Sequence, residues 1–269
     1  MATPILQVKE LHKEFGGIVA LHGVSFDVSR GEVFAVIGPN GAGKTTLFNL
    51  VSGALPVTSG EVHYKGKRVT GLQPYEIAAL GLVRTFQTVQ IFGNMTVLEN
   101  VMMGRHTRMR YGILQAALRL PQARSEERQT RDEAMRRLEM VGLAARANDD
   151  AGSLSFGQQR VLEAARALAL EPELIMLDEP GAGLTRSEIE ELDQLIQKLR
   201  DQGITVILVE HNMELVMGIA DRVLVLDYGQ KIAEGTPLQV QQDERVIAAY
   251  LGAETFTAMP AGANDAASK

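Results

Sequence analysis

The sequence predicts an α/β fold: a mostly parallel sheet around a phosphate-binding loop, entered through an N-terminal antiparallel β-subdomain and interrupted by an inserted helical subdomain. Three observations carry that prediction. The stretch Gly38-Pro39-Asn40-Gly41-Ala42-Gly43-Lys44-Thr45-Thr46 fits G-x-x-x-x-G-K-[ST] and lies between a short apolar run, Glu32 to Ile37, and a helix-like segment, Lys44 to Val51. Leu174 to Asp178 and Ile204 to Glu210 are further apolar runs of the kind that forms strands buried on both faces. From Thr96 to about Asp150 the spacing of apolar residues turns helical, with little strand signal.

Each residue type in the loop has a physical reason. Glycines let backbone N–H groups converge on an anion without Cβ atoms in the way. The helix that follows adds its partial positive end and unpaired donors. Lys44 is expected to reach the β- and γ-phosphates, and the Thr45 hydroxyl to take a place on Mg²⁺. The loop therefore binds a nucleotide.

Bulk properties narrow the class. The 269 residues are 45% apolar and 22% charged, enough for one large core or a core with a smaller lobe. A net charge of −6 argues against general nucleic-acid binding. With no cysteine there is no disulfide frame, thiolate metal site or cysteine nucleophile. No signal peptide opens the chain and no apolar run is long enough to span a bilayer, so the chain is expected to be soluble, with any membrane role reached through a partner.

In order, Ile5 to Val28 alternates apolar and polar residues, as a half-exposed antiparallel sheet does. Phe15 precedes Gly16-Gly17, where it reads equally as a core aromatic or as a ring exposed by a bend. Glu61 to Val69 resembles a short strand pair, Pro74 to Leu80 a helix with proline in its first turn, and Gly81 to Phe86 a strand ending at Gln87. By itself Gln87 reads as a surface amide. Arg128 to Val141 is amphipathic, with Ala134, Leu138 and Val141 at helical spacing. No acid occurs between Glu99 and Glu126, although Arg105, Arg108, Arg110, Arg119 and Arg124 do. The stretch reads as a solvated face, with a surface turned toward anionic lipid or a partner's acids as the alternative.

Leu154-Ser155-Phe156-Gly157-Gln158-Gln159-Arg160 leads into a helix, Val161 to Leu170, with a serine in the position of an N-cap. Leu174 to Pro180 is an apolar strand ending in two acids. An acid at the carboxyl end of such a strand faces the ligand crevice. Asp178 is thus placed to hold Mg²⁺ through water, and Glu179 to orient or deprotonate a hydrolytic water. Thr185 to Glu188 is a capping box opening a helix to Arg200, with Ile189, Leu192, Ile196 and Leu199 as its buried stripe. The strand Ile204 to Glu210 delivers His211 to the edge where Asp178 lies, within reach of a γ-phosphate. His12, His22, His63 and His106 follow no such strand and read as surface or packing residues. Arg222 to Asp227 and Lys231 to Glu234 flank a hairpin turn, Arg245 to Leu251 closes as a helix, and 252–269 reads as a mobile tail.

Taken together, the phosphate loop, Gln87, Leu154-Ser155-Phe156-Gly157-Gln158, Leu174 to Pro180 and His211 resemble, in that order, the ATP-binding subunits of ABC transporters, over about residues 4–251. Within that family, Phe86 to Val101, the helical insertion, Phe156 and Ala249-Tyr250-Leu251-Gly252 look like the importers of branched-chain amino acids. The resemblance implies a P-loop NTPase core over 4–95 and 160–251, a helical subdomain over about 96–159, and ATP and Mg²⁺ as cofactors. It implies that Phe15 stacks on adenine and that Gln87 senses Mg²⁺ and the attacking water and signals to membrane subunits. Ser155, Gly157 and Gln158 fall on the signature that caps the γ-phosphate held by an opposite subunit, Glu179 on the catalytic base and His211 on the switch histidine. Implied partners are a second ATP-binding subunit, integral membrane permease subunits and, indirectly, a periplasmic or extracellular solute-binding protein, with the chain peripheral on the cytoplasmic side of the membrane.

Two positions depart from the family pattern. Phe156 replaces the signature's common first glycine, and Thr185 stands where many members carry an aspartate that crosses the dimer; the capping-box reading of Thr185 competes with that contact. Two other functions are weighed against import. One is an exporter ATPase for lipid or lipopolysaccharide. The other is a soluble ABC protein of DNA repair or translation, whose usual second cassette or long coiled coil finds no room in 269 residues.

Overall fold

A computed structural model of the protein describes residues 3–85, 90–105 and 121–251. Strand β1 (Leu6–Phe15) and strand β2 (Ile18–Val28) form an antiparallel hairpin turned by Gly16 and Gly17, both at positive φ. The apolar parity set by Leu6 and Val8 would send Leu11 outward. A bulge at Lys9–Glu10, with Glu10 at φ 46, resets the phase, and Leu11 is fully buried. Strands β4 (Ser59–Tyr64) and β5 (Lys67–Arg68) complete a four-stranded antiparallel sheet in the order β2-β1-β4-β5.

The second sheet has the order β10-β9-β3-β8-β7-β6, built from β3 (Val33–Ile37), β6 (Leu82–Arg84), β7 (Leu174–Asp178), β8 (Thr205–Val209), β9 (Arg222–Asp227) and β10 (Gln230–Gly235). Every pair is parallel except the β9–β10 hairpin. Strands β3, β7 and β8 are buried along their whole length, as their unbroken apolar sequences predict.

Among the described residues are nine α-helices: α1 (Lys44–Val51), α2 (Pro74–Ala79), α3 (Val97–Gly104), α4 (Pro121–Met140), α5 (Phe156–Leu168), α6 (Arg186–Asp201), α7 (Met213–Ile219), α8 (Pro237–Gln241) and α9 (Glu244–Leu251). One face of the parallel sheet packs with α1 under the antiparallel sheet. The other face packs against α5, α6 and α7. A third core joins α3, α4 and α5 in the helical lobe. Helix α5 belongs to both of the last two, presenting Ala164, Ala167 and Leu168 to the sheet and Leu162, Ala165 and Ala169 (just past its end) to the lobe. The boundary expected after residue 159 falls inside this helix.

Two elements differ in detail from the sequence reading. Helix α5 begins at Phe156 rather than Val161, because Ser155 and Gln158 form a capping box: the Gln158 N–H donates to Ser155 Oγ at 3.2 Å and the Ser155 N–H to Gln158 Oε1 at 3.1 Å. The buried stripe of α6 is Leu192, Leu195, Ile196 and Leu199, with Ile189 only partly covered at the first turn. The capping box expected at Thr185 and Glu188 is present. No helix among the described residues is long and apolar enough to cross a membrane.

Candidate functional site

The phosphate loop leaves the sheet where β3 ends. Gly38, at φ 152, passes under the Leu226 carbonyl of β9 so closely that a Cβ there would lie 2.1 Å from the oxygen. Gly38→Ala is therefore expected to lower the unfolding free energy by more than about 1 kcal/mol, as read by urea titration. Gly43, at φ 98, caps α1, and a Cβ on it would lie 2.8 Å from the Ala20 carbonyl oxygen. No side chain caps α1 and no acid stands in its first turn, so its leading N–H groups are left for an anion. The loop is braced from outside: the Gly229 N–H donates to the Ala42 carbonyl at 3.0 Å and the His22 N–H to the Gly229 carbonyl at 2.8 Å.

Lys44 is buried, and its Nζ donates to the carbonyls of Gly38 at 2.7 Å and Pro39 at 2.9 Å. Three donors on an ammonium leave one for a phosphate. Burial lowers the Lys44 pKa, and the Glu179 carboxylate opposes that shift. An anion over the loop would add to this opposition and hold the charge on. A cleft of about 590 Å³ lies over these groups. Asn40, Gly41, Ala42, Gly43, Lys44, Thr45 and Thr46 line it together with Glu179 and His211, while Ile18, Ala20, His22 and Tyr228 form the outer wall.

Sheet register explains why Glu179 and His211 gather there. Val209 is level with Asp178 on β7 and with Val36 on β3, so Glu179, Glu210 and His211 leave the sheet beside the phosphate loop. Asp178 is almost fully buried; Arg84 Nη2 donates to its Oδ2 at 2.7 Å. Its Oδ1 is buried with no hydrogen-bond partner. Glu179 has φ 50, an uncommon conformation for a residue with a Cβ. Its N–H donates to the Val209 carbonyl at 2.9 Å, and its Oε1 lies 3.0 Å from His211 Nε2. Buried Glu210 accepts from the N–H groups of Gly181 at 2.5 Å, His211 at 2.9 Å and Asn212 at 3.2 Å, tying together the two loops that carry the Glu179–His211 pair.

The turn of Ser155, Gly157 and Gln158 stands apart from this cleft and lines no part of it. Ser155 is exposed, while Gly157 is buried so tightly that a Cβ would meet Glu188 Oε1 at 2.1 Å. Gln158 Oε1 also accepts from Arg146 Nη1 at 3.1 Å. Phe15 is 45% exposed at the end of β1, with Lys13 Nζ 4.7 Å from its ring centroid. Its ring is not a core aromatic, and its hairpin partner Ile18 lines the cleft. Gln87, His106, Arg108, Arg110, Arg119 and the tail lie outside the described residues.

Sequence reasoning did not single out Arg84, Glu210, Arg160, Tyr228 or the place of His22 in the cleft wall. For Glu210 a signal existed: it ends a buried strand directly before His211, in the position that made Asp178 and Glu179 conspicuous. Arg84 had a fainter one, as a cation closing the strand that precedes Gln87.

Comparison with known proteins places this geometry. The model of the ABC transporter family matches residues 21–182, and that of the branched-chain amino acid ATP-binding cassette transporter matches residues 230–255. The chain is 43% identical to the high-affinity branched-chain amino acid transport ATP-binding protein LivG of Escherichia coli (strain K12), over 94% of this chain and 99% of that one. It is 44% identical to the corresponding protein BraF of Pseudomonas aeruginosa, with the same coverage. Among solved structures, the ADP conformation of an ATP-binding cassette of an ABC transporter superposes with a TM-score of 0.82 at 34% identity, covering 93% of this chain and 100% of that one. With the phosphate loop, Asp178 and Glu179 at the end of β7 and His211 just past β8 all on one edge of the sheet, the chain belongs to the ATP-binding cassette family of ABC transporters, as an ATPase of its branched-chain amino acid branch.

Proposed function

We propose that two such ATP-binding subunits, identical or homologous, sandwich two ATP molecules and so power an importer of branched-chain or related amino acids. The observation that carries this reading is the division of the site. The cleft over Lys44 holds donors, base and histidine, while the Ser155 turn lies outside it. A subunit whose Ser155 turn faces the neighbour's Lys44-bound triphosphate closes both half-sites at once, and hydrolysis follows closure.

Thr45 and Asp178 are the residues that would hold Mg²⁺. The buried, unpartnered Oδ1 of Asp178 and the exposed hydroxyl-bearing Thr45 fit an oxygen-seeking cation. Among the described residues no group of three or more His, Asp or Glu is placed to bind a metal alone, so most ligands would come from phosphate and water. The ion would neutralise charge on the phosphates. Lys44 and the loop N–H groups hold the β- and γ-phosphates, Glu179 Oε1 takes a proton from the attacking water, and His211 orients that carboxylate.

Because the chain touches no solute in this scheme, the test uses the assembled transporter. Membrane vesicles carrying this ATPase with its permease subunits and solute-binding protein are expected to accumulate labelled leucine, isoleucine or valine when ATP is supplied. Vesicles that hydrolyse ATP yet accumulate none of the three would refute the assignment of solute. Fractionation is expected to place the subunit at the cytoplasmic face of membranes only when permease subunits are present.

A further inference from the structure

We propose that Arg160 is a positioning residue through which the signature turn of a subunit sets the backbone of that same subunit's Glu179. Arg160 lies on the first turns of α5, one helical turn after Phe156. Its guanidinium sits 5.2 Å from the centroid of the Phe156 ring, and its Nη1 donates to the Glu179 carbonyl oxygen at 3.1 Å. One cation thus touches both a signature residue and the peptide of the hydrolytic base.

That peptide is one that needs holding. Glu179 has φ 50, and Pro180 after it disfavours helical backbone at residue 179. Among the contacts that keep it there are its N–H on the Val209 carbonyl, its carbonyl accepting from the Ala182 N–H at 3.1 Å and from Arg160, and its carboxylate on His211. Val209, Ala182 and His211 belong to the sheet and the loops of the same core. Arg160 comes from the helix that begins at the signature.

Phe156 is half exposed beside Ser155, on the surface that the proposed sandwich turns toward the second nucleotide. Its ring also lies 3.4 Å from the Cβ position of Gly183, in the loop that follows Glu179. Arg160 Nε is buried without a hydrogen-bond partner, and a cavity of about 400 Å³ opens between α5 and α6 at its side. The side chain therefore has room to follow a displacement of the signature turn. Loading of the neighbour's nucleotide against Ser155 and Phe156 would shift the guanidinium and with it the Glu179 carbonyl, aligning the base in one site with occupancy of the other. This inference rests on the sandwich proposed above.

The test uses the full transporter and reads kcat and KM for ATP separately. Arg160→Met is expected to lower kcat about 10-fold or more with KM for ATP within about 3-fold of wild type, since the phosphate loop is untouched. Arg160→Lys, which keeps one donor, is expected to recover part of that loss, and Phe156→Tyr, which keeps the ring, to retain most of wild-type turnover. Combining Arg160→Met with Phe156→Leu is expected to cost no more than the worse single change, because both cut one connection. Wild-type kcat in Arg160→Met, a parallel rise in KM, or fully additive losses would overturn the proposal. If Phe156→Leu slows turnover while Arg160→Met does not, the sandwich stands and the Arg160 connection fails; if neither matters, the sandwich itself is in question.

Discussion

Glu179→Gln is expected to lower the rate of phosphate release by about 10²- to 10⁴-fold, the contribution of a well-placed general base, while ATP affinity stays near wild type. The amide keeps the shape of the side chain and its contact with His211 Nε2, now 3.0 Å from Glu179 Oε1, but it accepts no proton. The backbone anchors of residue 179 involve only main-chain atoms at that position and survive the change. Nucleotide-loaded subunits should then accumulate in the closed, paired form, visible as an ATP-dependent shift in size-exclusion elution. Turnover at the wild-type rate would remove Glu179 from the role of base and leave His211 as the nearest alternative.

Lys44→Ala should act at an earlier step. Removing a charged donor that the loop has already fixed in place is expected to weaken ATP binding by about 10- to 100-fold and to reduce turnover by about 10²- to 10³-fold. The two carbonyls that Lys44 now satisfies, at Gly38 and Pro39, would lose a partner, so some loss of stability should accompany the loss of binding. Equilibrium titration with a fluorescent ATP analogue separates the two variants. Glu179→Gln should bind as wild type does, and Lys44→Ala should not. Equal affinity in both would mean that the backbone N–H groups hold the phosphates without the ammonium.

How much of this was legible in the sequence follows from how local each feature is. The phosphate loop, the acids at the end of β7 and the histidine after β8 are each set by a short run of residues whose types carry both geometry and chemistry, and the fold brings the loop, Glu179 and His211 to one cleft. The capping box at Thr185 was equally readable, since its partners stand three residues apart. The contacts of Arg84 with Asp178 and of Arg160 with Glu179 were not, because each joins strands or helices that meet only in the folded sheet. Nor was the phase reset at Glu10: an extra polar residue in an alternating strand gives no sign of a bulge until the neighbouring strand is in view. The start of α5 at Phe156 was legible too, since Ser155 and Gln158 stand three residues apart, as the partners of a capping box do.

Helix α5 is a rod of 13 residues, about 20 Å long. Because its two faces are committed to two separate cores, the lobe of α3 and α4 has no hinge at residue 159 about which to swing freely. Were a membrane partner of the proposed transporter to push on that lobe, the rod would tilt as one piece. A tilt of about 10° at one end would displace the other by roughly 3 Å over this length, enough to make or break a hydrogen bond between Ser155 and a phosphate oxygen across the proposed interface. The transporter's mechanical stroke and its chemical trigger would then be two ends of a single lever, and stiffness of this helix, more than affinity for nucleotide, would set how tightly transport and hydrolysis are geared.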